Sequence, residues 1–242
     1  MTMKMSASLR GIVKSYRLGR TEVQALKGVD LDIAEGSLAA LIGPSGSGKT
    51  TLLNILGCLD VPSGGSYELG ERRVVAKDLD DLAAVRSREI GFVFQTFNLI
   101  SVLNVRENVE LSLVCAGFGD RRARRARVDA LIERLGLARF ADHRPDELSG
   151  GQRQRVAIAR AVAPSPRLIL ADEPTASLDS ATALEIIALF VELNREQGAT
   201  ILFSTHDPRV LTHVRRQIHL SDGRIVPAGG DAAEVVRADG AP

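Results

Sequence analysis

The chain has 242 residues, of which 45% are hydrophobic and 25% are charged, and its formal net charge is +1. This length suits one large globular domain, or one domain with a small subdomain, and is short for two full domains. The charge balance excludes the strongly basic composition expected of a general nucleic-acid binder. No window reaches the ~18 consecutive apolar residues of a membrane span and no secretory apolar core begins the chain, so we expect a soluble protein.

The first third of the sequence predicts β structure. Residues 12–16 are typical of a strand, residues 18–20 of a turn, and residues 29–33 alternate apolar and polar side chains like a half-buried strand. Residues 37–42 form a short apolar run before a glycine-rich loop, and the leucine-rich segment after that loop has a helical pattern. We therefore expect a β flap, followed by a buried strand that leads into a helix.

The rest of the chain predicts helices first and alternating strands and helices afterwards. Residues 78–163 are interpreted as helical, and an apolar stripe at i, i+3, i+4 and i+7 runs through residues 128–135. After two prolines, a buried-strand run at 168–171, a helix at 184–193 and a β-type run at 200–204 indicate parallel pairing. Asp222-Gly223 predicts a final hairpin, and the end of the chain is typical of a loose tail.

The glycine-rich loop has the spacing G-x-x-x-x-G-K-[ST] between an apolar strand and a helix, which is the context that a phosphate-binding loop requires. Backbone N–H groups and the helix N-terminus would hold phosphate oxygens, while Lys49 reaches the terminal phosphates and Thr50 offers a hydroxyl to Mg²⁺. The alternative, a glycine-rich turn without a ligand, is disfavoured by this context. The predicted nucleotide loop comprises Gly43, Pro44, Ser45, Gly46, Ser47, Gly48, Lys49, Thr50 and Thr51.

A pair of carboxylates follows the apolar run at 168–171. We assign Asp172 to Mg²⁺, directly or through water, and Glu173 to the general base that polarises the attacking water. The alternative is an acidic pair that caps the turn before Pro174. The phosphate loop in the same chain favours the catalytic interpretation.

A second glycine-containing segment begins an apparent helix at residues 148–152, Leu-Ser-Gly-Gly-Gln. Ser149, Gly150, Gly151 and Gln152 offer a hydroxyl and two bare glycines at the positive end of a helix dipole, which indicates another phosphate cradle. Both cradles would hold one nucleotide within a chain, or two chains would share two nucleotides. The residues themselves do not decide between these arrangements.

In order along the chain, GPSGSGKTT, Gln95, LSGGQ, LILADEP, the SLD triplet and His206 resemble the nucleotide-binding domains of ATP-binding cassette (ABC) proteins, from Tyr16 to about Gly223. The resemblance implies an α/β P-loop fold with a RecA-like parallel-sheet core, an antiparallel β subdomain and a helical subdomain. We expect the core and flap at about 1–95 and 164–228, the helical subdomain at about 96–163, and a tail at 229–242.

The resemblance also implies roles for single residues. It implies a head-to-tail homodimer that sandwiches ATP, with residues 149–152 of one subunit over residues 43–51 of the other. Gln95 would sense the metal and the nucleophilic water, Asp179 would lie at the dimer seam, and His206 would contact the terminal phosphate.

Each of these residues also has an ordinary structural interpretation. Gln95 suits the end of a strand, Asp179 suits the cap of a helix that starts near Ser180, and His206 suits a strand end. Tyr16 matches the aromatic position that stacks on adenine in the family, whereas an aromatic side chain in a strand is more often core.

Finer similarity concerns the branch of the family. Segments at 23–29, 53–60 and 91–100 look like the macrolide-export and lipoprotein-release ATPases (MacB and LolD type), with cell-division ATPases of the FtsE type as cousins. Ala176-Ser177 departs from the Gly-Asn usual there. The chain lacks the coiled-coil insertion of chromosome-maintenance relatives and the cysteine-rich modules of repair relatives. Only 242 − 206 = 36 residues follow His206, which is too few for the regulatory domain of sugar importers.

This branch implies an ATPase that powers a separate transmembrane permease from the cytoplasmic face of the inner membrane, with ATP and Mg²⁺ as ligands. A periplasmic adaptor would be reached through the permease, and nucleic acid is not an expected partner. The alternative is a regulatory ATPase that signals through a membrane protein without transport.

Two apolar features complete the predictions. In the family the segment at 96–105 meets the permease, and the alternative is that it forms internal core. Cys58 and Cys115 lie in apolar stretches and are expected to be packed free thiols.

Overall fold

The computed structural model describes residues 4–19, 21–74 and 79–227. Arg20 of the predicted turn and the predicted tail at 229–242 lie outside the described residues. Within these ranges the chain forms one antiparallel sheet, one mainly parallel sheet and seven α-helices.

The antiparallel sheet is the predicted flap. Its strands β1 (Met5–Leu18) and β2 (Thr21–Ala34) form a long hairpin, and β1 also pairs with β4 (Gly64–Leu69), which carries β5 (Arg72–Arg73) at the edge. Leu9, Ile12 and Leu31 are fully buried while neighbouring polar side chains face solvent, because successive side chains of a strand point to opposite faces. The flap prediction is confirmed, and both strands are longer than the apolar pattern indicated.

The second sheet has the strand order β10-β9-β3-β8-β7-β6, in which only the β9–β10 hairpin is antiparallel. Both faces of this sheet are covered, which explains why its central strands are apolar without alternation. The strands are β3 (Leu38–Ile42), β6 (Ile90–Val93), β7 (Leu168–Asp172), β8 (Ile201–Ser204), β9 (Arg216–Ser221) and β10 (Arg224–Val226).

Two apolar clusters lie on the opposite faces of this sheet. Ala40, Ile169 and Phe203 contribute to the cluster under the helices of the middle segment, whereas Leu41 and Leu170 contribute to the cluster under the flap. Neighbouring residues of one strand therefore belong to different clusters, as the two-residue period of a strand requires. The parallel sheet is the central layer that joins the flap to the helices.

The helices begin where the sequence supplies caps. Asn104 and Ser149 each form a capping box with the residue three positions later, and Asp120 and Asp179 accept hydrogen bonds from the first turn of their helices. The helices are α1 (Lys49–Leu56), α2 (Leu79–Glu89), α3 (Val105–Cys115), α4 (Arg121–Arg134), α5 (Gly150–Val162), α6 (Ser180–Gln197) and α7 (Pro208–Leu211). None of the described helices is both long and apolar enough to cross a membrane.

The prediction of a helical segment at 78–163 is right for α2 to α5 and wrong for β6. Strand β6 reads Ile-Gly-Phe-Val, and four residues are too few to distinguish a strand period from a helical one. Helix α3 packs against α4 and α5, so the three form a helical layer beside the sheet.

Candidate functional site

The candidate site lies at the edge where three adjacent parallel strands end. Strand β8 lies between β3 and β7, and Ser204 at its end pairs with Leu41 of β3 and Asp172 of β7. The loop after β3 is the phosphate loop, the loop after β8 carries His206, and the loop after β7 carries Glu173. Parallel sheets present their ligand sites at the carboxyl ends of their strands, so the strand order explains why these residues meet.

The phosphate loop connects β3 to α1. Gly48 has φ 104°, and a Cβ atom there would lie 2.7 Å from the carbonyl oxygen of Ala25, so this position requires glycine. No side chain of the described residues caps the N-terminus of α1, which leaves its first N–H groups directed at the loop. Lys49 Nζ donates to the carbonyl oxygens of Gly43 at 2.6 Å and Pro44 at 3.0 Å. The Lys49 ammonium group, the one cation of residues 43–51, therefore lies within the phosphate loop.

Asp172 ends β7 and is partly buried at this edge. Burial raises the pKa of its carboxyl group, with the charge of Glu173 acting in the same direction, while Ser204 and Lys49 oppose the shift. A divalent cation would favour the ionised form of such a group. Mg²⁺ prefers one or two carboxylates together with phosphate and water oxygens, so Asp172 and the Thr50 hydroxyl are a suitable donor set.

Glu173 is held from three directions. Its backbone has φ 43°, an unusual value for a non-glycine residue, and its N–H group donates to the Ser204 carbonyl at 2.8 Å. The Thr205 hydroxyl donates to Oε2 at 2.8 Å, and Nδ1 of His206 lies 2.8 Å from Oε1. The His206 side chain is 84% exposed, against 19% for Glu173, so the imidazole is the solvent-facing partner. The structure thus brings Glu173 and His206 together as a pair.

Thr205 was not identified from the sequence. Its hydroxyl also accepts a hydrogen bond from the N–H group of Asp207 at 3.1 Å, and Asp207 Oδ2 accepts from the Thr175 hydroxyl at 2.8 Å. The Arg209 side chain is the main reason that the pKa of Asp207 is lowered to about 2. These bonds lock the loop after β7 to the loop after β8.

The segment 149–152 forms the N-terminus of α5, where Ser149 is exposed and residues 150–152 are partly exposed. Ser149 Oγ accepts from the Gln152 N–H group at 3.3 Å, and Gln152 Oε1 accepts from the Ser149 N–H group at 2.8 Å. A Cβ atom on Gly151 would overlap the methyl group of Thr182 in α6, so glycine permits this close approach. Among the described residues, no hydrogen bond joins this segment to residues 43–51.

Gln154 connects the helix that carries this segment to the loop after β7. This fully buried side chain donates from Nε2 to the carbonyl oxygen of Pro174 at 2.9 Å. Pro174 directly follows Glu173. Sequence reasoning missed Gln154 because nothing in a helical pattern marks one polar residue as the bridge to a loop.

Gln95 and Asp179 have defined places. Gln95 is exposed two residues beyond β6, and its carbonyl oxygen accepts from the Ser177 hydroxyl at 3.4 Å. Asp179 caps α6 by accepting from the N–H group of Thr182 at 3.0 Å and from its hydroxyl at 2.6 Å. The helix-cap interpretation of Asp179 is therefore realised in the structure.

Tyr16 lies on β1 and is 36% exposed, so it is not a core residue. Its hydroxyl donates to Asp60 Oδ2 at 2.8 Å, and Lys14 Nζ lies 4.9 Å from the ring centroid. The pKa of Tyr16 is raised, mainly by partial burial and also by Asp60, while the nearby Thr51 side chain opposes the shift. The Tyr16 hydroxyl therefore lies near Thr51, the last residue of the phosphate loop.

An apolar groove of about 630 Å³ lies between β6, α2, α3 and α5, with Phe94, Cys115 and Arg160 in its lining. Asn98 of the segment 96–105 also lines the groove, and further along this segment Ile100 is 40% and Val102 is 71% exposed, so these two residues are not core. Cys115 is exposed as well, and the prediction that it is packed is wrong because it faces outward at the end of α3. Cys58 is buried as predicted, and burial raises the pKa of its thiol to about 11.

Comparison with known proteins identifies the family. Residues 26–176 match the model of the ABC transporter family. The chain is 46% identical over 227 residues to the uncharacterized ABC transporter ATP-binding protein YknY of Bacillus subtilis, covering 94% of this chain and 98% of that protein. It is 48% identical over 229 residues to the macrolide export ATP-binding/permease protein MacB of Syntrophobacter fumaroxidans, covering 94% of this chain and 32% of that protein. The chain thus spans about a third of the length of the MacB relative.

Solved structures agree with this result. The ATP-binding cassette MJ0796, in a dimeric post-hydrolysis state bound to ADP and Pi, is 44% identical, with a TM-score of 0.85 over 96% of this chain and 100% of that one. A second dimeric structure of MJ0796, a bacterial ABC transporter cassette, has a TM-score of 0.82 and 45% identity. The predicted cassette fold is confirmed, and the chain belongs to the ABC transporter family as an ATP-binding cassette ATPase.

Proposed function

We propose that this chain binds ATP on residues 43–51 and hydrolyses it with Glu173 as the general base, thereby driving a separate transmembrane permease. The observation that carries the proposal is the meeting of the phosphate loop, Asp172 and the Glu173–His206 pair at one edge of the sheet.

Lys49 and the N-terminus of α1 bind the terminal phosphates, and Thr50 and Asp172 would hold Mg²⁺, which neutralises charge between those phosphates. Glu173 orients and deprotonates the attacking water, because its carboxylate lies at the strand end next to the loop. His206 contacts the terminal phosphate by swinging from Glu173, which its high exposure permits. Gln95, in the loop after β6, would contact the metal and the attacking water.

The complete site is a head-to-tail dimer in which residues 149–152 of one subunit close over the nucleotide of the other. Two observations support this. The segment lies at a helix N-terminus with Ser149 exposed and residues 150–152 partly exposed, and it makes no hydrogen bond to residues 43–51 within the described chain. Asp179 lies at the seam while it caps α6. The similar MJ0796 cassette is described as dimeric.

The permease docks on residues 96–105, where Ile100 and Val102 are exposed and Asn98 lines the groove. The MacB relatives carry cassette and permease in one protein, and the chain matches the cassette third. We therefore propose export or mechanotransmission, such as lipoprotein release or macrolide efflux, at the cytoplasmic face of the inner membrane. A periplasmic adaptor would contact only the permease.

Glu173→Gln tests the proposal. The amide keeps the size of the side chain and cannot take a proton, so we expect ATP binding to persist, turnover to fall at least ~100-fold, and ATP to produce a dimer in size-exclusion chromatography. A variant with wild-type turnover would overturn the general-base assignment.

Docking is tested by coexpressing a candidate permease with the wild-type chain and with Val102→Ser. We expect the permease to copurify with the wild-type chain and not with Val102→Ser.

A further inference from the structure

Tyr16 belongs to a compact polar cluster with Lys14 and Asp60. Asp60 accepts the Tyr16 hydroxyl at 2.8 Å on Oδ2 and the Lys14 ammonium at 2.6 Å on Oδ1. Lys14 also donates to the Val61 carbonyl at 2.7 Å and lies above the Tyr16 ring. Both carboxylate oxygens of Asp60 are thus engaged with β1.

The cluster joins two layers of the protein. Lys14 and Tyr16 lie on the flap strand β1, whereas Asp60 follows α1, the helix that begins at the phosphate loop. The N–H group of Asp60 donates to the Asn54 carbonyl at 3.1 Å, which fixes Asp60 to α1. Ser63 reinforces the junction by donating its N–H to the Val13 carbonyl at 2.8 Å. The Tyr16 ring is therefore held in place by α1 as well as by the flap.

This cluster is more buried than a surface ion pair. The side chains of Lys14 and Asp60 are only 10% and 23% exposed. Burial alone would raise the pKa of Asp60, yet the pKa is lowered because hydrogen bonds from Lys14, Tyr16 and the Val61 N–H group outweigh it. A partly buried, hydrogen-bonded charge pair of this kind resists rearrangement because each charge needs its partner.

We propose that Lys14 and Asp60 are positioning residues that hold the Tyr16 ring at a fixed distance from the phosphate loop, so that an aromatic base stacks on it. This inference rests on the proposed role of Tyr16 as the base platform. A nucleoside triphosphate has a fixed reach between base and phosphates, so a clamped ring is preorganised for stacking and a free tyrosine is not. A triphosphate without a base gains nothing from the clamp.

The experiment compares the binding of ATP and of tripolyphosphate to the purified chain by calorimetry. Tyr16→Ala removes the ring, and we expect it to weaken ATP binding by about tenfold or more while tripolyphosphate binding stays unchanged. Tyr16→Phe keeps the ring and removes only the bond to Asp60, and we expect it to weaken ATP binding about three- to tenfold. Asp60→Asn should weaken ATP binding similarly. The double variant of Tyr16→Phe and Asp60→Asn should bind ATP no more weakly than either of these two single variants.

A matched control is Asp32→Asn, which breaks the Arg10–Asp32 ion pair of the same flap roughly 20 Å along β1 from Tyr16. It should bind ATP like the wild type. If Tyr16→Phe and Asp60→Asn bind ATP like the wild type while Tyr16→Ala does not, the clamp is wrong and the platform stands. If Tyr16→Ala also binds normally, the platform itself is wrong. Equal losses for ATP and tripolyphosphate would overturn the clamp, because they indicate damage to the phosphate loop.

Discussion

The Thr205 hydroxyl donates a hydrogen bond to Oε2 of Glu173 at 2.8 Å and at the same time accepts one from the N–H group of Asp207 at 3.1 Å. One buried hydroxyl thus joins the proposed general base to the cap of the short helix α7. Since Glu173 also has φ 43°, its orientation depends on contacts made by the neighbouring strand end.

Thr205→Val should therefore slow hydrolysis without weakening ATP binding. The change keeps the shape of the side chain and removes the hydroxyl, and a hydrogen bond to a charged group contributes about 1.5–3 kcal/mol, so kcat should fall ~10- to 100-fold. Steady-state ATPase assays and equilibrium ATP binding measure the two effects separately. Thr205→Ser keeps the hydroxyl and should recover most of the rate. Equal rates for the valine and serine variants would contradict the positioning role.

Gln154 gives a second prediction, about the contact between α5 and the loop after β7 that carries Glu173. Gln154→Met removes the bond to the Pro174 carbonyl, and it also removes Oε1, which is buried without a partner among the described residues. These two effects on stability oppose each other, so the free energy of unfolding should change by less than about 1 kcal/mol.

Turnover in Gln154→Met should nevertheless fall several-fold, because α5 no longer fixes the residue after Glu173. Urea unfolding and ATPase rates measure the two quantities. Gln217→Met, at an exposed position on β9, is the control and should match the wild type in both. A Gln154→Met variant with normal turnover would show that the bridge has no catalytic consequence.

The sequence proposes chemical roles for the site but does not give the framework that holds it. Roles for Lys49 and Glu173 follow from the side chains that phosphate transfer needs, and the role of His206 from the resemblance to the family. The partners that hold the site residues could not be assigned: Asp60 is 44 residues from Tyr16 in sequence, and no local pattern connects the two. The position of β8 between β3 and β7 is likewise a property of the folded sheet, because strand order is not written in any one segment.

The pKa of Asp207 predicts a pH-dependent contribution to stability. Its folded pKa is about 2 and its ordinary value is 3.8, so ionised Asp207 stabilises the fold fully above pH 3.8 and this contribution is lost as pH falls toward 2. The side chain is only 12% exposed, and the shift corresponds to about 2 kcal/mol.

Asp207→Asn should accordingly lower the free energy of unfolding by about 2 kcal/mol at neutral pH, and its deficit should shrink between pH 4 and pH 2. Urea titrations across this range measure the difference. Asp222→Asn removes the acid of an exposed pair with Lys27 and should unfold near the wild-type urea concentration. If the difference in free energy of unfolding between Asp207→Asn and the wild type grew as the pH was lowered, the prediction would be contradicted.

Variants at Gly151 separate the effect of this glycine on stability from its effect on ATP hydrolysis. In Gly151→Ala the new methyl group overlaps Cγ2 of Thr182, so α5 and α6 must shift and the free energy of unfolding should fall by about 1–3 kcal/mol. Thr182→Ser removes that methyl group and keeps the hydroxyl that bonds to Asp179. The double variant should therefore regain most of the lost stability, as measured by urea unfolding.

ATPase activity of the same double variant then shows what else the glycine does. If residues 149–152 close over a nucleotide held by a second subunit, the added methyl group lies at the surface that closes, and the stable double variant should still hydrolyse ATP at least ~10-fold more slowly than Thr182→Ser alone. Full recovery of activity together with stability would mean that the packing against α6 is the whole reason for glycine at this position, and it would argue against the shared site.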